Sequence, residues 1–174
     1  YELSVDDIRR QLETNLFGVL RTLSATRDEL LARRGRFAIV GSVSGYLCLP
    51  GGGAYSMSKF AVRAYADVLR QELRPLGVSV THLIPGFIES EIRQVDNLGS
   101  YHEEARDPIP KWIQMPAPKA ARQMVDAIAA RCGSRVITGH GNVAMLLGRH
   151  AQWLVDLLVR MGVGAPGNGK SVGN

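Results

Sequence analysis

Cysteine is scarce: the 174 residues hold only two, Cys48 and Cys132. That is too few for a disulfide framework, and their spacing is not that of a metal site. Both are expected to be reduced and to lie in or near the core, and no metal is expected. No stretch approaches the roughly 18–20 uncharged apolar residues of a bilayer span, and no charged, apolar and cleavable segment opens the chain. The expectation is therefore an intracellular, cytoplasmic protein. Aromatic residues make up 6% of the chain and are not interleaved with its basic residues. Those residues are scattered arginines, with short pairs at Arg9-Arg10 and Arg33-Arg34. Lys+Arg number 21 against 16 Asp+Glu, a formal charge of +5. A solvated basic surface accounts for this charge, so no nucleic acid partner is expected. No internal repeat divides the chain.

What remains is ordinary globular composition, 45% apolar and 21% charged, in a length suited to one core. A single domain over residues 1–162 is expected, with a glycine-rich tail at 163–174 expected to be disordered.

Ser4 and Asp7 have the spacing of a capping box, and Ile8, Leu12, Leu16, Val19, Leu20 and Leu23 recur at helical spacing behind it, which predicts a long helix over 5–33. The run Phe37 to Val40 predicts a strand buried on both faces. Five glycines and Pro50 then force a loop over 41–53. Helical spacing returns over 54–74 and stops at Pro75, and an apolar strand follows over 78–84, ended by Pro85-Gly86. Strand, helix and strand at this length make a βαβ unit, hence a parallel sheet and an α/β fold. Four prolines between 108 and 118 predict a long loop over 87–118 with one or two short helices. A helix over 119–131, a short strand over 135–138 and one apolar helical stripe from Leu146 to Met161 complete the chain.

Tyr55 and Lys59 stand four apart near the start of a predicted helix, so both side chains share one face. An ammonium beside a phenol favours the phenolate, which suits Tyr55 to general acid or base work; a plain exposed pair is the alternative. Ser42 lies at the carboxyl end of a predicted parallel strand, where open α/β sheets bind ligands. Its hydroxyl could orient a carbonyl or cap the glycine loop. Asn15 sits inside the first helix, where asparagine lowers helix propensity; it could hold a water, bend the helix or simply face solvent. Gly86 would let a flat ring approach the backbone, with Ile88 and Ser90 close behind, or would merely end the strand. Tyr46, Leu49, Phe87, Ile92, Trp112, Ile113 and Met115 fall in the two segments flanking this end of the sheet. Their apolar character predicts a lipophilic ketone or secondary alcohol as substrate, with Ser42, Tyr46, Phe87, Ile92 and Trp112 touching it; packing of a lid is the alternative. His82, His102, His140 and His150 have no partner at metal-ligand spacing. His140 reads as a turn residue.

Asn15-Leu16-Phe17-Gly18, Ser42 about a dozen residues before Tyr55, Tyr55-Ser56-Met57-Ser58-Lys59 and Pro85-Gly86 together resemble the second half of a short-chain dehydrogenase/reductase. The resemblance covers residues 1 to about 140. It implies a Rossmann-like, doubly wound parallel sheet and a catalytic tetrad of Asn15, Ser42, Tyr55 and Lys59. By the same resemblance Tyr55 exchanges the proton, Ser42 orients the carbonyl, Lys59 holds the nicotinamide ribose and Asn15 keeps a water in a proton relay. NAD or NADP is the implied cofactor, bound through Tyr55, Lys59, Pro85, Gly86, Ile88 and Ser90. Ser90 stands where threonine is commoner in the family. The helices carrying Asn15 and Tyr55 are the family's usual dimer surface, which implies a homodimer or homotetramer. The amphipathic C-terminal helix also admits peripheral membrane contact, although packing within the protein is the favoured reading.

No Gly-x-x-x-Gly-x-Gly pyrophosphate motif precedes Asn15, and Gly51 to Gly53 lie between the implied catalytic Ser42 and Tyr55. The expectation is a dehydrogenase lacking roughly its first ninety residues here, inert as an isolated piece because its sheet would keep unpaired edges. A non-catalytic scaffold that keeps the fold without cofactor is the competing reading. A nucleotide-sugar epimerase or dehydratase, which shares Tyr-x-x-x-Lys, fits poorly because too little chain follows Pro85.

Overall fold

A computed structural model describes residues 4–94, 101–104, 107 and 109–162. The expected tail at 163–174 lies outside the described residues. Three strands, β1 (Arg36–Val40), β2 (Ser79–Ile84) and β3 (Ser134–Val136), form one sheet in the order β1-β2-β3, with both pairings parallel. The α/β parallel architecture is thus as expected. Register runs from Arg36 opposite Ser79 to Val40 opposite Leu83, and from His82 opposite Ser134 to Ile84 opposite Val136.

Helices cover both faces, which makes the sheet doubly wound. On one face α2 (Gly18–Ala32) and α3 (Gly53–Leu73) pack Leu23, Val62, Ala66 and Leu69 against Phe37, Ile39 and Val80. On the other, α4 (Ala117–Ala129) packs Ala120 and Ala127 against Leu83 and Ile137. β2 is buried on both faces from Val80 to Ile84. β1 differs from its expectation: Phe37 and Ile39 are buried, but Ala38 and Val40 are not, and Val40 is 53% exposed. The core cluster under α4 includes no residue of β1, so an apolar run that suits two-sided burial has one face open.

The capping box at Ser4 forms as expected, with Asp7 N–H donating to Ser4 Oγ and Asp7 Oδ2 accepting from Ser4 N–H. The helix that follows is not continuous. α1 (Val5–Leu12) passes into a π turn at Glu13–Phe17 before α2; such single turns interrupt helices where a side chain must be re-aimed, frequently at functional sites. The expected C-terminal helix is likewise two, α5 (Gly139–His150) and α6 (Gln152–Arg160), broken at Ala151 with φ −140° and ψ 44°. β3 begins one residue earlier than expected and ends at Val136, because Thr138 leaves the sheet to cap α5. Both thiols are free; Cys132 packs near the second core cluster, but Cys48 is exposed, contrary to its expected place in or near the core.

All three connections that return to a strand contain a left-handed residue: Arg34 (φ 47°), Gly77 (φ 80°) and Arg131 (φ 53°). Arg131 fastens them together. Its guanidinium donates to the carbonyls of Arg34 at 2.8 Å, Gly77 at 3.1 Å and Gly35 at 3.5 Å.

Candidate active site

Ser42, Lys59 and the Pro85-Gly86 turn lie at the carboxyl ends of the strands, opposite the Arg131 clamp. Past the end of β1, Gly41 N–H donates to Leu83 O at 2.8 Å and Val43 N–H to Pro85 O at 3.0 Å. These bonds carry the parallel pairing beyond the strands, so Ser42 and the Pro85-Gly86 turn emerge side by side. Ser42 is 7% exposed, and its Oγ accepts the Ser44 N–H at 3.1 Å, opening a short 3-10 turn over Val43–Gly45. The serine therefore does cap the glycine loop. Capping uses a lone pair and leaves the hydroxyl hydrogen for donation.

That turn lies against α3. A Cβ at Gly45 would stand 2.8 Å from the Lys59 carbonyl oxygen, so only glycine lets the loop sit this close to the helix. Lys59 is 8% exposed and its Nζ donates to Val40 O at 3.1 Å, tying α3 to the last residue of β1. Burial holds the Lys59 ammonium below the usual lysine range. The same Nζ lies 5.5 Å from the centroid of the half-buried Tyr55 ring. The helical spacing of the two residues thus does bring them together.

Asn15 occupies the π turn. Its amide nitrogen donates to Gln11 Oε1 at 3.1 Å and to Ser58 Oγ at 3.0 Å. Ser58 is fully buried and donates in turn to Tyr55 O at 2.7 Å. Ser58 was not singled out from sequence, although its place between Tyr55 and Lys59, on the face turned to the core, is the signal that finds it.

At the second strand end, Phe87 O accepts from Met115 N–H and Glu89 N–H donates to Met115 O, both at 3.0 Å. This bridges Ile88 to Met115. Phe87 N–H donates at 2.9 Å to Nε2 of His140, whose ring stacks on Phe87 at 5.4 Å. A Cβ on Gly86 would lie 2.3 Å from Thr138 Oγ1 and 2.6 Å from His140 Nε2. Glycine at 86 is therefore required by the chain's own packing, a reason independent of any ring approaching the backbone. Ser90 is exposed, and its Oγ accepts the Ile92 N–H.

The five expected substrate contacts separate. Ser42 and Phe87 belong to this end of the sheet. Tyr46 is 7% exposed, its ring under the Arg63 guanidinium at 3.9 Å and stacked on His82 at 6.4 Å. Arg63 and His82 thus enclose this ring. Ile92 and Trp112 are surface residues, Trp112 at 85% exposure.

Residues 1–99 match the sequence family described as short chain dehydrogenase. The chain belongs to the short-chain dehydrogenase family. It is 34% identical over 104 residues to an NADPH-dependent 1-acyldihydroxyacetone phosphate reductase of Schizosaccharomyces pombe, covering 60% of this chain and 35% of that protein. It is 34% identical over 112 residues to retinol dehydrogenase 5 of Mus musculus, covering 64% of this chain and 35% of that protein. The match therefore spans about a third of the length of these curated relatives. Among solved structures, a short chain dehydrogenase/reductase from Burkholderia phymatum in complex with NAD superposes with TM-score 0.73 and 21% identity, over 89% of this chain and 61% of that one. A short chain dehydrogenase from Burkholderia cenocepacia in complex with NADP gives TM-score 0.71 and 24% identity, over 87% and 59%. At these identities the likeness shows the Rossmann-like fold alone.

In this short-chain dehydrogenase chain, the Ser42 hydroxyl and the Lys59 ammonium lie at the strand ends, with the Tyr55 ring centroid 5.5 Å from that ammonium. Among the described residues no group of His, Cys, Asp and Glu could hold a metal ion, and no helix is long and apolar enough to cross a membrane.

Proposed function

We propose that the protein is an NAD(P)-dependent oxidoreductase acting on a carbonyl or secondary alcohol, with Tyr55 as general acid and base. The observation that carries this reading is Lys59, nearly buried, tied to the end of β1 and lying 5.5 Å from the Tyr55 ring centroid. A positive charge there stabilises the negative charge that the phenol acquires on giving up its proton. Ser42, kept in place by the Ser44 N–H, presents its hydroxyl hydrogen to the substrate oxygen. Asn15 and Ser58 hold the first turn of α3 against the π turn, and with it the Tyr55 backbone. Lys59 also bonds the ribose, while Pro85, Gly86, Ile88 and Ser90 frame the nicotinamide end. When bound, the nicotinamide supplies or accepts the hydride.

A lipophilic substrate is favoured by the partly buried Phe87, at the same end of the sheet as Ser42. Relatives named retinol dehydrogenase 5 and, at 40% identity over 93 residues, 3beta-hydroxysteroid dehydrogenase dhs-16 of Caenorhabditis elegans support the same class. A homodimer or homotetramer is supported by Met57, Phe60 and Val68, which leave one side of α3 apolar at 52%, 39% and 49% exposure, with Phe17 exposed nearby in sequence to Asn15. One protein domain spans residues 1–162 in this reading.

The test is to titrate the intact protein with NADH and NADPH by fluorescence, then assay retinoid and steroid alcohols against phosphorylated sugars. Binding of either cofactor with turnover of the lipophilic set is expected. No cofactor binding, or turnover of the charged set alone, contradicts the reading.

A further inference from the structure

His140 was expected to be a turn residue, and nothing in the proposed chemistry uses it. Its position is nevertheless closely defined. Thr138, 1% exposed, caps α5 through its Oγ1, which accepts the Gly141 N–H at 3.1 Å. The cap holds the first turn of α5 over the end of β2, where Gly86 has no side chain to exclude it. His140 therefore reaches the main chain of the Pro85-Gly86-Phe87 turn with its Nε2 and covers the Phe87 ring with its face.

We infer that His140 is a positioning residue: its Nε2, by accepting the Phe87 N–H, sets the peptide between Gly86 and Phe87, and cofactor affinity depends on that acceptor. The cofactor half of the inference rests on the function proposed above. Phe87 is held on two sides, its N–H by α5 and its carbonyl by the Met115 N–H ahead of α4. Without the imidazole acceptor the carbonyl stays bound, but the N–H loses its partner at a strand end where ligands of open α/β sheets bind. An accepting Nε2 also defines the tautomer, because a neutral imidazole then carries its hydrogen on Nδ1. Burial keeps the ring neutral by lowering its affinity for a second proton.

Glutamine can place an amide oxygen near the position of Nε2, whereas asparagine reaches only to that of Nδ1. The experiment compares His140→Gln, His140→Asn and His140→Leu in the intact protein. It reads Phe87 amide hydrogen exchange without cofactor, and the Kd for NADH and NADPH. His140→Gln is expected to keep Phe87 protected and the Kd within about threefold of wild type. His140→Asn and His140→Leu are expected to speed exchange and raise the Kd about fivefold to tenfold, the loss of one hydrogen bond. Equal behaviour of the three variants, or wild-type exchange in His140→Leu, overturns the inference. Nitrogen-15 spectra of wild-type His140 provide a test that needs no variant: a hydrogen on Nδ1 is expected, and one on Nε2 overturns the bond. If wild type binds neither cofactor, the proposed function fails, and so does the cofactor half of the inference; exchange at Phe87 still decides the structural half.

Discussion

Asn15 and Ser58, 43 positions apart in the chain, meet through a 3.0 Å hydrogen bond from the asparagine amide to the serine hydroxyl. The π turn and the first turn of α3 are thereby one unit, since Ser58 passes its own hydrogen to the Tyr55 carbonyl. Ser58→Ala leaves the half-buried Asn15 amide short of a partner and should cost roughly 1–3 kcal/mol of stability. Asn15→Ala should cost a similar amount, and the double variant should cost less than the sum of the two. Urea denaturation of the four proteins checks this; strict additivity would mean that the two side chains do not communicate.

His82 provides a pH signature. Burial lowers its pKa from 6.5 to about 4, with Asp67 opposing and Arg63, Arg70 and Lys59 reinforcing the effect. Both ring nitrogens are buried without a hydrogen-bond partner among the described residues. The folded state therefore binds this proton less readily than the unfolded chain, so stability is complete above about pH 6.5 and declines as the pH falls toward 4. The decline should be roughly 3 kcal/mol. Thermal melts of wild type and His82→Leu across this range measure it, and a decline of equal size in both would assign it to other groups.

Gly45 tests how closely the loop after Ser42 must sit on α3. Gly45→Ala drives a methyl against the Lys59 carbonyl, a backbone atom that cannot turn aside. A loss of about 1–3 kcal/mol is expected from overpacking, together with reduced kcat from displacement of Ser42 relative to Tyr55. Steady-state kinetics with thermal melts separates the two; unchanged kcat would show that the spacing of loop and helix does not matter to turnover.

Arg131 should be sensitive to shape as well as charge. Arg131→Lys retains the charge but not the fork that spans carbonyls on two different loops. It should lose roughly 1 kcal/mol, and a variant as stable as wild type in urea would remove the clamp from the account.

Much of this was legible in the sequence, for identifiable reasons. β2 reads as an apolar run because it is central, and α3 is bounded by Gly53 and Pro75, so the parallel βαβ unit follows from local signals. Tyr55 and Lys59 face the same way because helical spacing dictates it. What escaped depends on packing between distant segments. The π turn answers to Ser58 across 43 residues, and the break at Ala151 has no proline or glycine to announce it. The open face of β1 reflects which elements lie beside it, which an apolar run cannot report. An aromatic such as Tyr46, in a loop near Ser42, carries no mark in sequence of the Arg63 and His82 that enclose it. His140 looked incidental because its partner is a backbone N–H.

The central claim is that the Tyr55 hydroxyl exchanges the proton. Tyr55→Phe in the intact protein removes one oxygen from a half-buried ring and leaves Lys59 bonded to Val40. Turnover should fall by at least about a hundredfold, the usual contribution of a positioned acid or base, while the Kd for NADH or NADPH stays within a few fold of wild type. Turnover within a few fold of wild type in that variant would contradict the account.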